Sequence, residues 1–433
     1  GLNGNNLVLG AAWCVGECES IERIEFNGSA IYGSGITTPT GITVTNYLGS
    51  TGQAADPTLA AIFEGYDDDL VTSILGEDVG VCYSVFEITP TAQDSFPRAV
   101  AYIKGSKVYD PRTTSTAWSE NPALCLADYI TSKTHGPGRS VDWDSVASCA
   151  NWSSSYVTTT TLPRHRIGLS LDRPSPTWQW IETMRQYGHI ILHNEGSTVV
   201  FSNDKQVDVD TTASVGANQV LKGSMKLSKR GLTQLPTVMR IRYTNRSEYP
   251  WRDGEAIAYA SGVNTGTRNY VESVVRMPGI PTYAQAYREA VHRINHLRLS
   301  DVKATFDTFD QGLLRRAGEV IRLTHPVGLT SKALRIAAPV ATGPGRWRMT
   351  CTEYDDNQYS SAVVDEPAVK DTDLPNPQNV TPPTDLTLSE ELYQRDDGLW
   401  DTRIRIIFAP STYLVGSEYE IGVKNPVLGQ IVW

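Results

Sequence analysis

KVYDPRTTSTAWSENPALCLADY, residues 107–129, is the stretch from which the fold of this chain is read outward. Val108 and Tyr109 continue an apolar alternation begun at Val100 and Tyr102, the signature of a strand. Asp110-Pro111 ends it, because proline biases the preceding residue to extended geometry and has no N–H to donate. Asn121 is a good helix N-cap, and Pro122 suits the first helical position, where an N–H would go unpaired anyway. Leu126, Tyr129 and Ile130 then fall at helical spacing, and Gly136-Pro137-Gly138 is expected to stop the helix.

On the N-terminal side the chain reads as β-rich. Ile21 to Phe26 alternate, Asn27-Gly28 supplies a hairpin turn, and strands follow near 42–47, 79–88 and 99–103. On the C-terminal side lies a more helical insert. Asp142 is placed to cap a helix carrying Val146, Cys149 and Ala150, and Ser175-Pro176 opens another. In that helix Trp178 and Ile181 fall on one side and Trp180, Met184 and Tyr187 on another, which predicts burial on both sides. A hairpin, HIILH and STVVF around Asn194-Glu195-Gly196, is expected to turn in three residues.

Strands return after Val220. Thr282 and Gln285 have the spacing of a capping box for a helix with one apolar stripe, Tyr283, Tyr287, Ala290, Val291, Ile294 and Leu297. More strands are expected near 302–308, 318–325, 333–336 and 347–352. Residues 363–383, with five prolines, read as a linker. Beyond them come a strand, an Asp397-Gly398 turn, and a strand with Ile404, Ile406 and Phe408 inward. The pattern is mainly β with an α+β insert, divided at 1–118, 119–215, 216–362, 363–383 and 384–433.

Length and charge narrow the function. The 433 residues suffice for about three cores. The 38 basic residues against 48 acidic give −10, which argues against a protein built to hold nucleic acid. No run of eighteen apolar residues is present, so no membrane insertion is expected of this fragment. Six cysteines are too sparse for a disulfide scaffold.

The opening stretch, with FPRAVAYIKG before it, resembles the central tail-hub (tip attachment, J-type) proteins of long-tailed bacteriophages and gene-transfer particles. The family pattern is an apolar strand, a KVYDPR turn, a tryptophan and then NPALCLADYL. Here it is carried by Lys107, Tyr109, Asp110, Pro111, Arg112, Trp118, Asn121, Pro122, Ala123, Leu124, Cys125, Asp128 and Tyr129. His135 stands where an aromatic is common. Tyr47 to Gln53 and AGEVIRLTHP around Gly318-Glu319 extend the similarity, and Tyr419-Glu-Ile-Gly-Val resembles a fibronectin type III strand.

The resemblance implies hub β-barrel modules flanking a small helix-plus-hairpin domain, then the start of a fibronectin type III sandwich, so the chain reads as a piece of a longer protein. It implies a structural hub of a virion tail tip, assembled in the host cytoplasm, that closes the distal end of the tail tube and forms the channel for DNA ejection. Host recognition would lie further C-terminal. The implied partners are two further copies in a homotrimer, the distal tail protein, the tape-measure protein, other tail-tip proteins, and genome DNA passing without specific binding. A glycan- or receptor-binding module and a tail-associated cell-wall hydrolase are the rival readings.

The residues themselves suggest no enzyme, cofactor or metal. There is no phosphate loop and no Gly-x-Ser-x-Gly elbow. His292 and His296 have zinc-clasping spacing but lack the adjacent glutamate and a third ligand, and they lie opposite the apolar stripe, as a solvated face would. His189 and His193 share one face of a strand. Cys14 and Cys18 need two more ligands, and no second close cysteine pair exists. Asp67-Asp68-Asp69 lacks the alternation of a calcium loop. Trp251, beside Pro250, is the best candidate for a sugar-stacking platform.

Overall fold

A computed structural model describes residues 2–3, 6–63, 80–90, 97–157, 162–231, 235–261, 263, 269–312, 314–359, 384–409, 423–424 and 431–432. It divides into two compact units, Gly1–Glu366 and Pro367–Trp433. The Asp67-Asp68-Asp69 run, the 363–383 linker and most of the fibronectin-like strand lie outside the described residues.

The first unit opens with β1 (Asn6–Val15), β2 (Cys18–Phe26), β3 (Ser29–Gly33), β4 (Ile42–Leu48), α1 (Pro57–Phe63), β5 (Val81–Ile88), β6 (Ala99–Asp110) and β7 (Ser115–Trp118). The hairpin turn between β2 and β3 forms at Asn27-Gly28, both at positive φ (50° and 85°), the geometry that favours this dipeptide. The strands make two four-stranded sheets, Leu2–Asn3/β1/β5/β4 and β3/β2/β6/β7. Ile21, Ile24 and Phe26 of one sheet meet Phe86 and Ile88 of the other in a shared core. The opposite face of the first sheet buries Val8, Tyr83 and Val85 under Leu59 of α1.

The insert comprises α2 (Pro122–Thr131), α3 (Trp143–Ser154), α4 (Thr177–Tyr187) and a hairpin of β8 (Ile190–Glu195) and β9 (Thr198–Asn203). Then follow β10 (Ala213–Val215), β11 (Lys226–Lys229), β12 (Val238–Asn245), β13 (Arg252–Tyr259), β14 (Glu272–Arg276), α5 (Tyr283–Leu299), β15 (Val302–Thr308), β16 (Val320–His325), β17 (Leu329–Gly343) and β18 (Arg346–Glu353). They form a three-stranded sheet, β13/β12/β14, and a six-stranded one, β10/β16/β17/β18/β15/β11. α5 packs on β12 and β13. One core runs continuously from the insert helices to this layer, through Leu126, Met184, Ile190, Ile241, Ala286 and Ile294.

The architecture is therefore mainly β with an α+β insert, but the expected barrels are open. Among the described residues no ladder joins the outer strands of either four-stranded sheet, or β10 to β11. The first region is a face-to-face sheet pair, and in the second Phe306, Leu323, Ile336 and Met349 of the six-stranded sheet share one core.

Several local expectations change as well. α2 stops at Thr131, before Gly136, when the Ser132 N–H bonds the Asp128 carbonyl and the backbone turns extended. Trp178 is 63% exposed: α4 fully buries the side bearing Trp180, Met184 and Tyr187, while on the other side Ile181 packs half-buried against the core. The β8–β9 loop is two residues, Gly196-Ser197, since Glu195 pairs with Thr198. No capping box forms on α5. Thr282 makes no side-chain cap, and the Gln285 amide instead bonds both the N–H (3.1 Å) and the carbonyl (2.9 Å) of Arg166.

The second unit is described through a hairpin, β19 (Thr384–Gln394) and β20 (Trp400–Ala409), and a short pairing of Val423–Lys424 with Ile431–Val432. The hairpin turns at Asp397-Gly398 as expected, with the Asp397 carboxylate accepting from the Leu399 N–H. Ile404, expected inward, is 71% exposed.

Candidate functional site

The 107–129 stretch is a joint between the sheets and the insert. Tyr109 meets Trp143 edge to face at 5.1 Å, and Lys107 reaches Glu17 at 2.8 Å. After Asp110-Pro111 the chain turns, and the Arg112 guanidinium forks onto the Asp110 carboxylate (2.7–3.2 Å). Its other arm donates to Asn151 and Ser154 at the end of α3. The Arg112 cation holds the Asp110 carboxyl below the usual range. Trp118 lies under the Lys104 ammonium at 5.2 Å. Asn121 accepts from the Ala123 N–H (3.0 Å), and its amide donates to the Ala150 carbonyl and the Ser154 hydroxyl, both at 2.9 Å. Pro122, Ala123, Leu124 and Tyr129 are buried. The Cys125 thiol donates to the Ser119 carbonyl, and burial raises it to about 12. Burial also raises the Asp128 carboxyl. Most of these residues pack, cap or pair within the joint, and none lines the cavity described next.

The chemistry gathers elsewhere. Four of the chain's seven histidines form one file, His165, His189, His292 and His296, with ring centroids 5.0, 4.4 and 6.1 Å apart in succession. Three of them border a cavity of about 200 Å³ enclosed by α3, α4, α5 and the segment after β9. The expectation of a solvated His292/His296 face is thus corrected. α5 is covered on both sides, and its polar side, including Gln285, Arg288 and Glu289, is buried against the insert.

His189 follows the end of α4 in left-handed backbone, φ +51°, an uncommon state for a residue with a side chain. Its Nε2 bonds the Glu289 carboxylate at 2.7 Å. Burial alone would lower its pKa, but Glu289 outweighs it and the net shift is upward. The other Glu289 oxygen accepts from Arg293. His292 donates from Nδ1 to the Gln358 carbonyl at 3.2 Å, and burial lowers its pKa to about 4. Burial likewise lowers His165, whose Nδ1 is buried without a partner. One Asp204 oxygen accepts from Tyr359 (2.5 Å) and Arg335 (3.0 Å). Arg335 and Tyr359 overcome the effect of burial and hold this carboxyl below its usual range. One donor atom each from His189, Asp204 and His292 lies within 4.8 Å of the others.

Residues 176–338 match the profile of a family described as "Putative phage tail protein". The matched segment supplies His189, Asp204, Glu289 and His292, while His165 and Tyr359 flank it in sequence. Among solved structures, a chain of the virion of a native gene transfer agent particle is similar in fold. It shares 16% identity, covers 83% of this chain and 81% of its own, and has a TM-score of 0.56. The 43 kDa tail protein of prophage MuSo2 from Shewanella oneidensis has 10% identity, 65% and 76% coverage and a TM-score of 0.35. The prophage tail protein gp18 from Listeria monocytogenes has 9% identity, 40% and 51% coverage and a TM-score of 0.25. No curated protein matches.

A second cluster lies outside the matched segment. Cys82 on β5 pairs across the ladder with Cys14 on β1, and Cys18 opens β2, so three thiols stand within 4.8 Å of one another. The Cys14 and Cys18 sulfurs are 2.9 Å apart. Thiol hydrogen bonds from Cys18 and Cys82 lower Cys14 to about 4, and the same contact raises Cys18 to about 12. Strand pairing, absent from any sequence spacing, brings the third thiol in.

Two other candidates are resolved plainly. His193 has no ring contact with the file and lies 3.4 Å from Glu195. Trp251 packs edge-on against Tyr102 (5.0 Å) and carries the Arg246 guanidinium over its ring at 4.6 Å, which covers one stacking face. Among the described residues, no helix is long and apolar enough to cross a membrane.

Proposed function

We propose that this chain is the structural hub of a phage-like tail tip, a homotrimer that closes the distal end of the tail tube and opens for DNA. One observation carries the reading. A segment matching a phage tail family lies within a fold that extends over most of the chain and has a counterpart in a gene transfer agent particle. The 107–129 stretch adds to it, since it fastens the sheet pair to the insert and lies ahead of the family segment.

In this role the chain works by packing and needs no catalysis. The distal tail protein and the tape-measure protein are the expected neighbours, and this reading assigns no receptor binding to the described residues. The test is electron microscopy of a native particle with this chain placed in the tip density. Three copies around the channel are expected; placement along the tail shaft, or another copy number, would reject the hub. Release of soluble sugar from host cell wall by the purified chain would reject the non-catalytic reading.

A further inference from the structure

We infer that His189, Asp204 and His292 form a binding site for one divalent transition-metal ion. The three ligands come from three elements: the residue after α4, the residue after β9, and the middle of α5. Two imidazoles and one carboxylate with open positions is a donor set suited to first-row divalent metals.

The supporting shell decides the matter more than proximity does. A metal-binding imidazole is normally held by a hydrogen bond from its other ring nitrogen, and a ligating carboxylate is itself hydrogen-bonded. Each ligand here has that partner. Glu289 takes the His189 Nε2–H, leaving Nδ1 for the ion. The Gln358 carbonyl takes the His292 Nδ1–H, leaving Nε2. Arg335 and Tyr359 both address one Asp204 oxygen, leaving the second.

Charge sets the remaining requirement. Arg293 and Arg335 already balance Glu289 and Asp204, so a dication would leave the site positive. Arg164 and Arg288 line the same cavity. The ion's open positions therefore suit an anionic co-ligand, a hydroxide or a carboxylate, which these two guanidinium groups would face. The ion would tie the hairpin β8–β9 to α5, across the family-matched segment.

The probe is cobalt(II), added to the full chain after chelator treatment. We expect one equivalent per chain, visible d–d absorption, and none of the sulfur-to-metal charge transfer that the cysteine cluster would give. His292→Gln and Asp204→Asn should each weaken binding at least tenfold, His296→Gln and Cys82→Ser should leave it unchanged, and circular dichroism should confirm folding of each. Should either ligand variant fail to fold, X-ray absorption of the zinc-loaded natural chain decides, because imidazole and sulfur neighbours scatter differently. Failure of the folded chain to retain cobalt or zinc, a sulfur-dominated site, or unchanged affinity in the folded ligand variants would each overturn the assignment. None of these outcomes depends on the chain's place in a particle.

Discussion

Replacing Asn121 with alanine should loosen α2 from α3, and the structure gives the size of the effect. The asparagine is buried and makes three hydrogen bonds, one as cap acceptor from Ala123 and two as amide donor to Ala150 and Ser154. Losing the cap costs about 1 kcal/mol. Losing the amide donors costs about 1.5 kcal/mol more rather than twice the single-bond value, because the Ser154 hydroxyl keeps Arg112 as a partner. The total of about 2.5 kcal/mol corresponds to roughly 70-fold faster hydrogen exchange in a peptide covering Pro122–Thr131, if exchange proceeds through local opening. Asn121→Ser separates the two contributions. Serine caps as well as asparagine but is too short to replace both donors, so it should cost about 1.5 kcal/mol. Equal exchange in the serine and alanine variants would refute the cap, and unchanged exchange in both would refute the whole account of the joint.

The other expectations concern the same layers. Asp110 has a folded pKa below its unfolded value, so its pairing with Arg112 stabilises above the unfolded pKa and is lost as pH falls through the folded one. Asp110→Asn should therefore cost about 1 kcal/mol at neutral pH, and the gap in urea midpoint should shrink between pH 5 and pH 2; a gap constant with pH would count against the pairing. A Cβ on Gly279 would stand 2.8 Å from the buried Tyr187 ring, so Gly279→Ala should destabilise by about 1–3 kcal/mol in thermal melts. Gly105→Ala, with nothing within 4 Å, serves as its control and should be neutral or slightly stabilising.

Local patterns of the sequence translated well where one rule governs one element. The caps at Asn121 and Asp142, the Asn27-Gly28 turn and the long α5 each need only residues within a few positions of one another. Closure of the sheets was not legible in the same way. Alternation tells which face of a strand is apolar, but it does not say whether the first and last strands meet. The same alternation therefore serves a closed barrel and open sheets alike, and here it produced open ones.

The histidine file shows why a site can escape a helical wheel. Opposite an apolar stripe, polar residues face water only if nothing else packs there. On α5 the insert packs there, and Gln285, Arg288 and Glu289 are buried with it. Their burial was invisible because their partners are distant in sequence: Arg166, Arg164 and His189 lie about 100 residues or more away. The zinc-clasping spacing of His292 and His296 does not by itself close a site. Both bond Gln358, one to its carbonyl and one to its side chain, so this residue orients the file. The ligand that completes a site with His292 is His189, which belongs to the hairpin side. What marks it in the chain is its place directly after Gly188, where α4 ends and the backbone takes a left-handed step. A histidine at such a step, facing a helix with its own histidine and glutamate three residues apart, is the pattern a sequence search for this site should use.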